Sequence, residues 1–152
     1  MSYETRLKEL QIELPPVAAP VGSYVAAVRA GGLVFTAGQL PWRDGRLVAT
    51  GKVGAAVDVP TAQAAARQAA INALAAVRAE VGTLDAVVRV VRLNVFVNSA
   101  AGFTDQAQVA NGASQLMTEI FGDAGRHTRV ALGAAELPLN ACVELDIVVE
   151  VK

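Results

Sequence analysis

The last strand of the chain constrains the fold more than any other stretch. From Ala141 to Val151 the residues alternate cleanly: Val143, Leu145, Ile147, Val149 and Val151 fall on one face, and Cys142, Glu144, Asp146, Val148 and Glu150 on the other. Successive side chains of a strand point to opposite sides of its sheet, so this pattern requires a sheet with one apolar, buried face. Helices must cover that face, and the acidic positions point the other way.

Two segments can supply the helices. Asp58 and Pro60 announce one over Thr61 to Val81, closed by Gly82, with Ile71, Leu74, Val77 and Val81 as its larger apolar side chains. The other runs from about Thr104 to Phe121, turns Val109, Ala113, Leu116 and Ile120 inward, and stops at Gly122. Between them Val87 to Val97 is strongly β-branched and predicts a long strand, with Val87, Val91, Leu93, Val95 and Val97 on one face. Upstream, strands over Tyr24 to Ala30 and Leu33 to Thr36 are joined by Gly31-Gly32 in a tight hairpin. Ala37 to Trp42 is a loop, and a short third strand follows the Asp44-Gly45 turn. At the start Ser2 caps a helix that places Tyr3, Leu7, Leu10 and Leu14 together and stops at Pro15-Pro16. The expected class is α+β: one mostly antiparallel sheet with two long helices on one face, plus an N-terminal helix. We expect a single domain over residues 1–152, with 1–16 as a helical extension and 21–152 as the core.

Composition narrows the function. Thirteen Lys+Arg against fourteen Asp+Glu give a net charge of -1 with no basic run, which argues against nucleic acid as a partner. A hydrophobic share of 53% beside 18% charged residues leaves apolar surface that association of subunits would cover. No apolar run approaches the roughly 18 residues that span a bilayer, so no membrane partner is expected and a cytoplasmic location is the simplest reading. One cysteine and one histidine cannot build a zinc site. Phosphate-loop, dinucleotide and metalloprotease signatures are lacking too, so no cofactor and no metal are expected.

The segment Gly125 to Glu144 holds the chemistry-bearing candidates. Arg129 falls among small residues, with Ala131, Gly133, Ala135 and Leu137 sharing its parity on what the alternation makes the uncovered face. A guanidinium there either pairs with Glu144 or Asp146 or grips a carboxylate bidentately. Glu144, between Val143 and Leu145, either neutralises an arginine or is a desolvated carboxyl able to pass protons. A hairpin turning near Pro138-Leu139 sets Glu144 opposite about Gly133 and Arg129 opposite about Val148. The offset is roughly 13 Å along the strand, too far for a pair within the chain. His127 reads as a turn residue and Cys142 as a small core residue. Tyr24, Gly38 and Asn111 are weaker candidates: a strand-opening tyrosine, a loop glycine able to present N–H groups to an anion, and a mid-helix asparagine.

Taken together, Val21-Gly-Ser-Tyr24, Leu33-Val-Phe-Thr-Ala-Gly-Gln-Leu-Pro41 and Thr128-Arg129 through Leu137-Pro138 to Val143-Glu144-Leu-Asp-Ile resemble the Rid (YjgF) family of reactive-intermediate deaminases. The resemblance runs from about Val21 to the C-terminus. It implies a chorismate-mutase-like fold and a homotrimer with clefts between subunits. It also implies cofactor-independent hydrolysis of 2-imino or enamine acids to a ketoacid and ammonia. Arg129 would hold the substrate carboxylate, Glu144 would assist water, and Tyr24, Gly38 and Asn111 would line the cleft. Ala131 stands where the family's deaminases carry a cysteine, and Ala37 where a serine is frequent. A non-catalytic trimer that binds small carboxylates is the alternative, with ribonuclease a weaker third.

Overall fold

A computed structural model describes residues 1–152. A five-stranded sheet in the order β1-β2-β7-β5-β6 carries the long helices α2 and α3 on one side. Its strands are β1 (Ala27–Ala30), β2 (Leu33–Thr36), β5 (Val87–Asn98), β6 (Thr128–Ala134) and β7 (Val143–Val151). Trp42–Arg43 (β3) and Arg46–Leu47 (β4) form a separate ribbon, and α1 (Tyr3–Glu9) precedes everything else. The helices are α2 (Val59–Val81) and α3 (Gln106–Phe121).

Local signals set the helices where they lie. The Asp58 carboxylate accepts the Thr61 N–H at 2.9 Å, and Gly82 closes α2 in a left-handed turn (φ 87°). In α3 the residues Val109, Ala113, Leu116 and Ile120 are buried as the periodicity requires. The helix α1 ends at Glu9, before the prolines, where Gln11 adopts a φ of 56° and the Ile12 N–H bonds back to the Leu7 carbonyl. Leu7 and Leu14 are both buried, so the chain keeps its apolar contacts after the helix has stopped.

The core face of β7 follows the alternation throughout: Val143, Leu145, Ile147, Val149 and Val151 are buried, and Glu144, Asp146, Val148 and Glu150 half-buried. In β5 the pattern breaks. Register shifts at Val88 and Val91 insert two bulges, so Val90 rather than Val91 joins Val87, Leu93, Val95 and Val97 in the core. The strand predicted from Tyr24 is shorter, beginning at Ala27.

The expected hairpin of the last two strands does not form. Strand β6 pairs in parallel with β5, Arg129 opposite Leu93, and β5 separates it from β7. Because α3 carries the chain from β5 across to the edge, β6 enters in the same direction as β5. The link Ala135 to Cys142 then passes over β5, turning at Leu139 and Asn140, both at φ 57°.

This placement also reverses the faces of β6. Arg129 reaches α3, Ala131 packs against the core, and a Cβ at Gly133 would touch Ser99 Oγ at 3.1 Å and Gln106 Nε2 at 3.2 Å. The small residues expected on the uncovered face therefore lie beneath the helix. The open face instead carries Val28, Phe35 and Leu132, which are 51%, 43% and 53% exposed.

Candidate functional site

The open face holds the first group. Strand β7 projects Glu144 there, and the loop after β2 is clipped beside it. The Gln39 N–H donates to the Leu145 carbonyl at 2.7 Å, and the Leu145 N–H returns to the Gln39 carbonyl at 3.1 Å. From α2 the buried Asn72 holds the next part of the loop, its amide donating to the Leu40 and Trp42 carbonyls at 3.0 Å each. These ties set Gly38 directly under the Glu144 carboxyl group. A Cβ at position 38 would overlap Oε1 and lie 3.1 Å from Cδ, so only glycine leaves the carboxylate where it is. The Gly38 N–H makes no hydrogen bond within the chain.

Around them is an open cavity of about 600 Å³, lined by Tyr24, Val28, Phe35, Gly38 and Glu144 among others. The Tyr24 hydroxyl accepts the Val21 N–H at 3.2 Å. Burial pushes the Glu144 pKa up, and the neighbouring Asp146 charge pushes it further. A carboxyl so placed takes up a proton more readily than an exposed one.

The second group lies at the sheet edge under α3. Arg129 Nη1 donates to Asn111 Oδ1 at 2.9 Å and to Ser114 Oγ at 3.0 Å, and Nη2 makes a longer contact of 3.4 Å with the Ala107 carbonyl. The four ion pairs of the chain, Arg6–Glu9, Lys52–Glu136, Arg67–Glu119 and Arg78–Glu4, do not involve it. Both Nη1 protons are thus engaged, while Nε, together with the Nη2 proton beside it, forms an edge matched to the two oxygens of a carboxylate.

Of the residues singled out from sequence, Tyr24, Gly38 and Glu144 are brought together, and so are Arg129 and Asn111. The two groups do not meet within one chain. Glu144 is level with Phe96 and Leu132, whereas Arg129 is level with Leu93 and Ile147, so about 10 Å separates them along the strands and about 10 Å across them. They also point to opposite faces of the sheet. The absence of a pair was expected, but its cause is the intervening strand and the opposed faces rather than a hairpin offset.

Asn72 and Ser114 escaped the sequence, and His127 reads there only as a turn residue. Asn72 lies inside an alanine-rich helix with no local signal of its contact. Ser114 stands three residues after Asn111 and His127 two before Arg129, spacings that share a helix face and a strand face respectively. The imidazole Nε2 is 2.9 Å from Ser114 Oγ. Cys142 is a core residue, its thiol pushed up to about 11 by burial. No group of three or more His, Cys, Asp or Glu residues is placed to hold a metal ion. No helix is long and apolar enough to cross a membrane.

An α+β layer with this sheet and these helices places the chain in a known class. It belongs to the YjgF/chorismate mutase-like, putative endoribonuclease family, whose model matches residues 4–151. The match takes in nearly all of α1, beyond the region from Val21 that the motifs cover. Protein TCP17 of Trypanosoma cruzi is 48% identical over 145 residues, 95% of this chain and 91% of that protein. The crystal structure of Atu1372 from Agrobacterium tumefaciens, a protein of unknown function, is 46% identical with a TM-score of 0.91, covering 99% of this chain and 92% of that one. E. coli TdcF, solved with bound serine, is 26% identical with a TM-score of 0.65, covering 91% and 94%.

Proposed function

We propose that the chain hydrolyses 2-imino or enamine acids to a ketoacid and ammonia without a cofactor, in clefts between the subunits of a homotrimer. One observation carries the reading. An arginine whose Nε makes no hydrogen bond and a desolvated glutamate over a glycine sit on opposite faces of one chain, so a second copy is needed to bring them together. The exposed Val28, Phe35 and Leu132 supply apolar surface for that contact. The serine bound by TdcF is a small amino carboxylate of the size this site would take.

In the proposed reaction Arg129 holds the substrate carboxylate through its Nε–Nη2 edge, and the Gly38 N–H helps orient it. The Glu144 carboxylate takes a proton from water as the oxygen attacks the imine carbon, and hands that proton to the nitrogen as it takes up the C=N electron pair, giving a neutral carbinolamine. Glu144 then takes the carbinolamine's hydroxyl proton and passes it to the amine, so that the C–N bond breaks, ammonia leaves and the carbonyl forms. Water is the only co-reactant, and no electrons are transferred.

The test supplies 2-iminopropanoate in situ with an amino-acid oxidase and traps surviving imine with semicarbazide. Wild-type protein should lower the semicarbazone yield, and Arg129→Ala and Glu144→Gln should lose about 100-fold or more of that effect. If wild type and Arg129→Ala are equally inert across several imino acids, the deaminase reading fails. TdcF's serine, an unreacted amino acid, favours a second reading, a trimer that binds small carboxylates without turnover. Carboxylate binding lost in Arg129→Ala, with no imine consumed by either protein, would select it.

A further inference from the structure

Behind Arg129 lies a histidine for which the proposed hydrolysis has no use. His127 is half-buried just before β6, its Nδ1 2.6 Å from the Gly125 carbonyl oxygen and its Nε2 2.9 Å from Ser114 Oγ. A carbonyl oxygen only accepts, so Nδ1 carries a proton. The neutral ring then keeps a lone pair on Nε2, and the Ser114 hydroxyl donates to it. Ser114 Oγ in turn accepts from Arg129 Nη1 at 3.0 Å, and Asn111 Oδ1 accepts the other Nη1 proton at 2.9 Å. Every hydrogen in the chain from Gly125 to Asn111 is thereby assigned. Burial lowers the imidazole pKa and the Arg129 charge lowers it further, against the opposing pull of the Gly125 carbonyl, so the ring is held towards its neutral form.

We propose that His127 is a positioning residue for carboxylate binding, holding the Ser114 hydroxyl so that its oxygen anchors Nη1 and leaves the Nε–Nη2 edge of Arg129 facing the ligand. The role rests on Arg129 being the carboxylate grip of the proposed function. A helical serine with no such acceptor turns its proton to the carbonyl one turn back, and the lone pair that holds Nη1 turns with it. The guanidinium is then fixed by Asn111 alone and its bidentate edge is free to swing. The preferred Nδ1–H tautomer is set by one backbone carbonyl, which the 3₁₀ turn Gly122–Gly125 brings beneath the ring. That turn is itself tight against α3: a Cβ at Gly125 would overlap the Met117 carbonyl and come within 2.9 Å of the Thr118 nitrogen.

The chain has one histidine, so long-range ¹H–¹⁵N spectra read this ring without ambiguity. At neutral pH the wild type should show a protonated Nδ1 and an unprotonated Nε2. The binding probe is pyruvate, the ketoacid that hydrolysis of 2-iminopropanoate releases. Ser114→Ala and His127→Asn, whose amide reaches only the Nδ1 position, should weaken pyruvate binding about tenfold, while His127→Gln, whose carbonyl reaches the Nε2 position, should stay within about twofold of wild type. An Nε2–H tautomer would overturn the proposal, and so would His127→Gln binding as weakly as His127→Asn. If Ser114→Ala and His127→Asn match wild type while Arg129→Ala does not bind, the grip stands and the role of His127 falls. If wild type and Arg129→Ala bind pyruvate equally, or neither binds, the grip itself is wrong and the proposed function falls with it.

Discussion

Glu144 and Arg129 are charged groups solved in different ways. Arg129 satisfies one end of its guanidinium with two side-chain oxygens and keeps its charge without an anion. Glu144 has neither an ion pair nor a hydrogen bond from the chain, so burial and Asp146 act on it unopposed and raise its pKa. A carboxyl whose folded pKa lies above its unfolded one binds more protons in the folded chain across that window, so stability falls as pH rises through it. Glu144→Gln carries no charge to desolvate. It should therefore melt at a higher temperature than the parent at pH 7, and the difference should disappear below about pH 4.5, the ordinary value for this group. Thermal melts of both proteins from pH 4 to pH 8 check the sign; a parent that gains on the variant as pH rises contradicts it.

Among the elements, α3 does most to place the Arg129 guanidinium, and its position depends on a close crossing with α2. A Cβ at Gly112 would overlap the Gln63 carbonyl oxygen and lie 2.8 Å from its carbon, contacts with backbone that cannot rotate aside. Gly112→Ala should raise helix propensity yet lose about 1–3 kcal/mol of stability, because the helices must separate. Urea unfolding with an unchanged slope and a lower midpoint would show it. A midpoint equal to or above the parent's would mean that the helices part freely. Asn111 is the adjacent residue, so the same variant should also loosen carboxylate binding. At the other end α1 is held by reciprocal capping. Asp85 accepts from the Ser2 hydroxyl and the Tyr3 N–H at 2.7 and 2.6 Å, while Glu4 accepts from the Leu84 N–H at 2.9 Å. The Ser2 hydrogen bond leads in holding the Asp85 pKa low.

For the whole molecule the open face of the sheet is where the proposed assembly and chemistry meet. Its apolar residues are continuous with the cavity, since Phe35 is exposed and also lines it together with Glu144. Association and the proposed chemistry are therefore expected to fail together. Phe35→Asp should leave far-UV circular dichroism unchanged, shift the sedimentation coefficient from that of a trimer to that of a monomer, and abolish imine hydrolysis. A Phe35→Asp monomer that is fully active would separate the two, and the intersubunit cleft would then be wrong.

The sequence by itself determined the inner face of β7, both long helices with the Asp58 cap and their glycine stops, the burial of Cys142 and the isolation of Arg129 and Glu144 as charges without a local purpose. Such features depend on neighbours two to four residues away, and alternation, capping and helical period record them directly. The tertiary structure alone decided that β7 lies inside the sheet, that β6 runs parallel at its edge, and that two bulges change the parity of β5. Those outcomes turn on pairing between distant strands, where a short Leu-Pro link reads equally well as a hairpin turn or as the end of a crossover. The same cause hid Ser114 and His127, because a serine on a helix and a histidine before a strand become one hydrogen-bonded unit only when β6 is set beneath α3.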